Sequence, residues 1–440
     1  MGNATFRGGI HMYDGKDLSK DKPTEVLLPE KDLAFPMSQH IGAPAKPIVA
    51  VGDHVLVGQR IGEASAFVSA HVISSVSGTV KAIEKRLTVA GTTCDSVIIE
   101  NDGKYETVEG FGQKRDYTAM TKEQIRACVK DAGIVGMGGA GFPNHIKLTP
   151  KKDEAIDYVI VNGAECEPYL TSDYRMMLEE PEKIVEGLRI ILRLFENAKG
   201  IILIEDNKPE AIAILSKLVE NDPRISVKVA KTKYPQGAER QVINVATGRK
   251  INSSMLPADA GCVVDNIDTV ISIYMAVAES TPLIRRIITV TGDAIANPRN
   301  FSVRTGMHYS ELLKAAGGFT AEPEKLISGG PMMGLSLFDV ELPVTKTSSA
   351  LLALKKDPAA YKPQTACIRC GRCVSVCPSR LVPQKMMEYA QNCENEGFLG
   401  LDGMECYECG TCTYVCPAGR LLTQAFKQTR RSILDERKKK

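Results

Sequence analysis

The chain contains no tryptophan, and only 5% of its 440 residues are aromatic. Platforms that stack the bases of single-stranded nucleic acid rest on aromatic side chains, so this scarcity argues against them. Excess charge is lacking too: 55 Lys and Arg stand against 53 Asp and Glu, a formal +2. No global field favours nucleic acid or an acidic substrate. Long apolar runs are missing. The most apolar stretch, "TVISIYMAVA" at 269–278, falls well short of the ~20 residues that a bilayer span requires. The opening "MGNATFRGGIHMYDGKD" lacks the apolar core of a signal peptide. Without an export signal, the 13 cysteines read as metal ligands and reduced thiols rather than disulfides, and the expected compartment is the cytoplasm.

What is present divides into parts. Apolar residues at 43% and charged residues at 25% describe an ordinary globular protein, long enough for several cores. Residues 1–115 are punctuated by Gly and Pro, and "VAVGDHVLVGQRIG" and "ISSVSGTVKAIE" alternate as short strands. They resemble a lipoyl- or biotinyl-type barrel-sandwich hybrid. Residues 61–80 hold no lysine to carry such a group, so a packing or docking module is expected. Over 116–280, the apolar runs "DYVIVNG", "GIILIED" and "ISVKVAK" alternate with "PEKIVEGLRIILRLFENA" and "KPEAIAILSKLVEND", which have Pro near the start and apolar residues three and four apart. That alternation predicts a parallel, Rossmann-like sheet covered by helices, with ligands at the carboxyl ends of its strands. Residues 281–345, with "RRIITVTGDAI" and one helix at "SELLKAAGG", resemble a small β-grasp (SLBB) module. "TKTSSALLALKKDPAAYKP" reads as a linker into a segment at 346–430, and 431–440 as a basic tail. The expected class is therefore multidomain α+β.

"CIRCGRCVSVCP" and "CYECGTCTYVCP" both read Cys-x2-Cys-x2-Cys-x3-Cys-Pro, the bacterial ferredoxin spacing. Three closely spaced thiolates wrap three irons of a [4Fe–4S] cube, and the Cys before Pro ligates the other cube. This assigns Cys367, Cys370, Cys373 and Cys416 to one cluster, and Cys377, Cys406, Cys409 and Cys412 to the second. Structural zinc prefers two pairs of ligands and fits the triplets poorly. The stretch between the cassettes looks helical, predicting an α-helical ferredoxin arrangement. Cys94, Cys128, Cys166, Cys262 and Cys393 lie outside the cassettes and read as buried small hydrophobes.

"GIVGMGGAGFPNHIK" (133–147) is the second strong signal. Gly136, Gly138, Gly139 and Gly141 let the backbone approach a phosphate. By spacing alone, the segment is either a phosphate cradle or a tight turn, and it matches neither the Rossmann nor the Walker pattern. It resembles the GRGGAGFPTGxK loop of the NADH-binding flavoprotein subunit of respiratory complex I. "VNGAECEPYLTSDYRMML", "YPQGAERQVINVATG" and "VVDNIDT" resemble that family's next three segments, in the same order over about 135 residues.

The resemblance implies that Gly136, Gly138, Gly139 and Lys147 cradle the phosphate of FMN. It places Asn162 and Glu165 at the ring or ribityl chain, and closes the pocket with Tyr234, Gly237, Asn266 and Thr269. Phe142, Glu167 and Glu239 match residues that hold NADH. Met137, Ala164 and Ala238 depart from the pattern, replacing an Arg, an Asp and a Glu. No side chain is assigned a catalytic step, because electrons relay through cofactors.

Taken whole, the order of parts resembles the RnfC family, one of the components of Rnf ion-translocating ferredoxin:NAD oxidoreductase complexes. That implies a peripheral subunit on the cytoplasmic face of the membrane, using NADH, FMN and two [4Fe–4S] clusters. Its partners would be other subunits, with ferredoxin reached through one of them and Na+ or H+ moved elsewhere in the complex. The alternatives are a soluble electron feeder, such as a cobalamin reductase, and a flavin-free docking adaptor.

Overall fold

The computed structural model describes residues 3–357 and 359–439; Lys440, the last residue of the basic tail, lies outside them. The N-terminal part holds two small antiparallel sheets. One runs Leu33–Pro36, Thr93–Asn101, Gly78–Leu87, His54–Val55, and the other Lys46–Pro47, Arg60–Glu63, Val72–Ile73. Leu33, Phe35, Val55, Ile61, Val72, Val80, Val97 and Ile99 bury one shared core, the barrel-sandwich arrangement expected. Alternation does this work, since successive strand side chains point to opposite faces.

The next unit is a four-stranded parallel sheet in the order Ile225–Ala230, Lys199–Glu205, Tyr158–Gly163, Cys262–Asn266. Its strands are apolar on both faces because helices cover both. Val159 and Val161 face Ile184, Leu188 and Val270 of the helices Pro181–Leu194 and Ile267–Ala278. Ile160 faces the other way, toward Val242 and Ile243 of the helix Glu239–Thr247. The two helices on the first face cross at Gly187, where a Cβ would collide with the Val270 carbonyl. The chain leaves Tyr158–Gly163 toward one side of the sheet and later returns on the other. A crevice opens at such a reversal, here between Asn162 and Asn266, which are register partners.

Six strands form the third unit, in the order Glu25–Leu27, Arg299–Arg304, Arg285–Thr291, Ala350–Leu354, Lys325–Ser328, Leu335–Leu337, with the helix Tyr309–Ala315 beside them. Here one expectation needs correction. Ala350–Leu354, read as linker, is a buried interior strand of this sheet. "ALLAL" is apolar throughout, as a strand covered on both faces must be. Glu25–Leu27 joins the same sheet from the other end of the sequence.

The last unit is helical: Arg372–Val376, Pro383–Gln391, Asn395–Gly400, Thr411–Tyr414 and Leu422–Lys439. Met386, Phe398, Leu422, Phe426 and Ile433 form its core. The residues read as a basic tail continue the final helix up to Lys439.

Two features tie the units together. Lys346 is only 2% exposed, and its ammonium donates to the carbonyl oxygens of His71 and Gly133 (2.6 Å for the latter), so it pins three units at one point. The first residues form a strap: Ala4 bridges Ala230, Ile10 bridges Tyr234, and the Gly9 amide donates to the Val376 carbonyl at 2.8 Å. Among the described residues, no helix is long and apolar enough to cross a membrane.

Candidate functional site

The glycine loop follows the helix Lys122–Asp131 and closes on itself, with the Gly136 amide donating to the Phe142 carbonyl at 2.9 Å. Gly141 takes a φ of 71°, which glycine adopts without steric cost, and it sits against His40 and Thr347. Gly138 and Gly139 form an exposed crest. A Cβ on Gly138 would press Asn266 at 3.0 Å, while the corresponding space at Gly139 is open. Thr269 holds the loop from below by accepting from the Met137 amide at 3.0 Å. Met137 itself is buried, so the position of the missing Arg points into the core.

Lys147 ends the short helix after the loop. Its ammonium lies 3.0 Å from the Val264 carbonyl and 3.5 Å from the Asp265 carboxylate. Burial pushes Asp265 above the usual carboxylate range, and Lys147 offsets part of that. Asp265 also accepts from Asn144 at 2.6 Å.

Across the crevice, the Asn162 amide donates to the Gly237 carbonyl at 3.0 Å. Glu165 turns toward the start of the helix Ser172–Glu179, accepting from the Asp173 amide at 2.7 Å, with Lys16 at 3.6 Å. Asn266 donates to Asp173 at 2.7 Å. Asp173 escaped the sequence reading. Burial and the neighbouring Glu165 carboxylate hold its acid form above the ordinary range. Gln236, buried with both amide atoms unpartnered beside Gly237, escaped it as well. Both lie inside the quoted segments, at 161–178 and 234–248, the one signal that could have raised either.

The structure thus brings Gly136, Gly138, Gly139, Lys147, Asn162, Gly237, Asn266 and Thr269 around the crevice. Phe142 is half-buried at the foot of the loop, and Glu239 is exposed at the first turn of its helix. Besides Glu165, which turns to its helix start, two expected site residues point elsewhere. Glu167 packs against Gly330 and accepts from the Met332 amide at 3.2 Å, and burial pushes its carboxyl up to about 7. Tyr234 is buried, and its hydroxyl donates to the Cys409 carbonyl at 2.8 Å. Tyr234 sits where the sheet unit meets the helical unit and Glu167 where it meets the six-stranded unit, and the apolar cluster of Ile10, Tyr234 and Cys409 with Cys166 and Met332 joins the two places. An open glycine crest, a cation behind it and orphaned buried polar atoms beside it fit a phosphate-bearing flavin.

The cassette cysteines surround two cavities. One is lined by Cys377, Cys406, Cys409 and Cys412, with Leu381, Met386 and Phe426 as apolar wall. The other is lined by Cys367, Cys370, Cys373 and Cys416. Each cavity takes three thiols from one cassette and the fourth from the other. Among the described residues, no three or more His, Cys, Asp or Glu gather as one bound ion would need. Thiols spread around a cavity suit a cube, whose ligands meet different irons, better than zinc, whose ligands close to ~2.3 Å from one centre. Burial drives the bare Cys406 and Cys412 thiols up to about 12, a cost that a bound cationic core would offset. Of the remaining cysteines, Cys262 is buried as expected, whereas Cys393 is exposed, held in a left-handed turn after its helix.

Comparison with known proteins follows this division. Family models match in order: the RnfC barrel sandwich hybrid domain at residues 4–104, the Nuo51 FMN-binding domain at 129–275, the SLBB domain at 287–336 and the 4Fe-4S dicluster domain at 360–421. Crystal structures of an NAD+-reducing [NiFe]-hydrogenase share the fold. In its H2-reduced state the TM-score is 0.51 at 16% identity, covering 72% of this chain and 61% of that one. The C component of the Na(+)-translocating ferredoxin:NAD(+) oxidoreductase complex of Acetobacterium woodii is 44% identical over 99% of both chains. The proton-translocating counterpart of Clostridium ljungdahlii is 45% identical over 88% of this chain and 84% of its own. With identity of this size over nearly the full length of both, the chain belongs to the RnfC family of ion-translocating ferredoxin:NAD(+) oxidoreductase components.

Proposed function

We propose that this protein is the peripheral electron-transfer subunit of such a complex, carrying electrons between NADH and a redox partner through one FMN and two [4Fe–4S] clusters. The reading places it on the cytoplasmic face of the membrane, with the movement of Na+ or H+ left to partner subunits. FMN, when bound, exchanges electron pairs with a nicotinamide and single electrons with iron–sulfur centres.

The chain's own residues supply positions and insulation. Gly138 and Gly139 present backbone to the phosphate, Lys147 supplies a cation, and Asn162 and Asn266 stand at the strand ends where the ring would lie. The eight cassette thiols would hold the cubes. One observation carries the reading: Tyr234, three residues before Gly237 at the crevice, hydrogen-bonds the backbone of Cys409, so a buried apolar cluster joins the crevice segment to the cavity that Cys409 lines.

Purification without oxygen, FMN reconstitution and NADH addition test it. The expected result is about eight irons per chain, one bound FMN, and bleaching of the flavin band by NADH followed by cluster EPR signals. A preparation with far fewer irons, or one that stays colourless at flavin wavelengths under saturating FMN, overturns it.

A further inference from the structure

Behind the glycine loop, two buried oxygen atoms have no hydrogen-bond partner: Asn144 Oδ1 and Asp265 Oδ2. They belong to one bonded pair, for the Asn144 amide donates to the other carboxylate oxygen, Asp265 Oδ1, at 2.6 Å. Asn144 is wholly buried and Asp265 is 1% exposed. Two dry acceptors left unused cost free energy. A single proton would satisfy both. On Asp265 Oδ2 it donates to Asn144 Oδ1 and closes an amide–acid ring with two hydrogen bonds.

Lys147 is what favours the ionised carboxylate instead, from 3.5 Å. That ammonium also faces outward. Its side chain is 23% exposed against 0% for Asp265, and a Cβ on Gly136 would meet it at 3.1 Å. The other charges on the packed elements are spent or unfavourable. Glu239 adds negative charge, Arg240 is held by Glu405 at 2.6 Å, and Asp268 is matched by Arg286. Asp259 accepts from the Leu256 amide at 2.8 Å, and burial keeps His145 below its ordinary range. The neighbouring strand Tyr158–Gly163 brings no Asp, Glu, Lys, Arg or His.

We propose that Asp265 is a positioning residue of the phosphate site, taking up one proton when a flavin phosphate engages Lys147. The proposal rests on the function proposed above, which sets the FMN phosphate at the glycine crest. A phosphate dianion competes for the ammonium and brings like charge toward a buried carboxylate, and both effects favour the acid form. The step forms one O–H bond on Asp265 with a proton from solvent. Lys147 stays an ammonium, and nothing is oxidised or reduced. Because binding consumes a proton, FMN affinity falls as pH rises.

Calorimetry of FMN binding to the flavin-stripped, full-length protein with its clusters intact tests this. Buffers of different ionisation heat are compared at about pH 7.5, where a phosphate monoester is mostly dianionic. The expected result is uptake of about one proton per FMN, with affinity falling about tenfold from about pH 7 to about pH 8.5. Asp265→Asn, whose amide can donate to Asn144 as the acid would, should bind FMN with no uptake and a flat pH profile. Infrared difference spectra of the parent should show a protonated-carboxyl band appearing with FMN, and that band decides the matter if the variant fails to fold. No FMN binding by the parent sinks the proposed function. FMN binding without proton uptake or carboxyl band, or with uptake unchanged in Asp265→Asn, sinks this inference alone.

Discussion

Lys147 stands between the turn at Gly136 and the buried carboxylate of Asp265, so it answers to two needs. It compensates a charge that burial disfavours, and its ammonium also lies beside Gly136 at the base of the loop. Lys147→Met should weaken FMN binding about tenfold, a loss of about 1.4 kcal/mol. It should also destabilise the fold by about 1–3 kcal/mol, less than a fully buried pair costs because Lys147 is partly exposed. Flavin fluorescence titration and urea melts read the two effects separately, and unchanged FMN affinity would remove Lys147 from the site. Lys147 could be named from the sequence because it closes a short contiguous motif. Asp173 could not, since its role depends on Asn266, which lies 93 residues away.

Among the elements, the cassettes were the most legible, because the spacing of cluster ligands is itself a local constraint. The parallel strands were legible for a similar reason: apolar on both faces, they leave uninterrupted runs. Ala350–Leu354 was lost because an apolar run beside Lys and Pro reads equally as a tether, and only its strand partners around 290 and 327 decide. Contiguous motifs assign Tyr234 to the flavin pocket and Glu167 to NADH, yet the helical unit docks on Tyr234 and the six-stranded unit on Glu167.

Exchange of the fourth ligand between cassettes is open to a pairwise test. Cys416→Ala should lower iron from about eight to about four per chain, and adding Cys367→Ala should change little further. Adding Cys406→Ala instead should empty both cavities. If the first pair, rather than the second, removes all the iron, each cassette binds its own cube.

At the scale of the whole molecule, Lys346 is the point where three units meet. Burial lowers its ammonium from the ordinary 10.5 to about 7. Above that value the folded chain releases a proton that the unfolded chain keeps until about pH 10, so stability rises with pH through this window. Between pH 7 and 9 the parent protein should gain about 1–2 kcal/mol relative to Lys346→Met. Denaturant melts at several pH values check this, and a difference that stays flat would show that the lysine does not titrate there.

The strap of residues 4–10 has a temporal consequence. It is synthesised well before Val376, whose carbonyl the Gly9 amide meets. The sheet unit can therefore fold while the helical unit is still missing, and the strap latches that unit only afterwards.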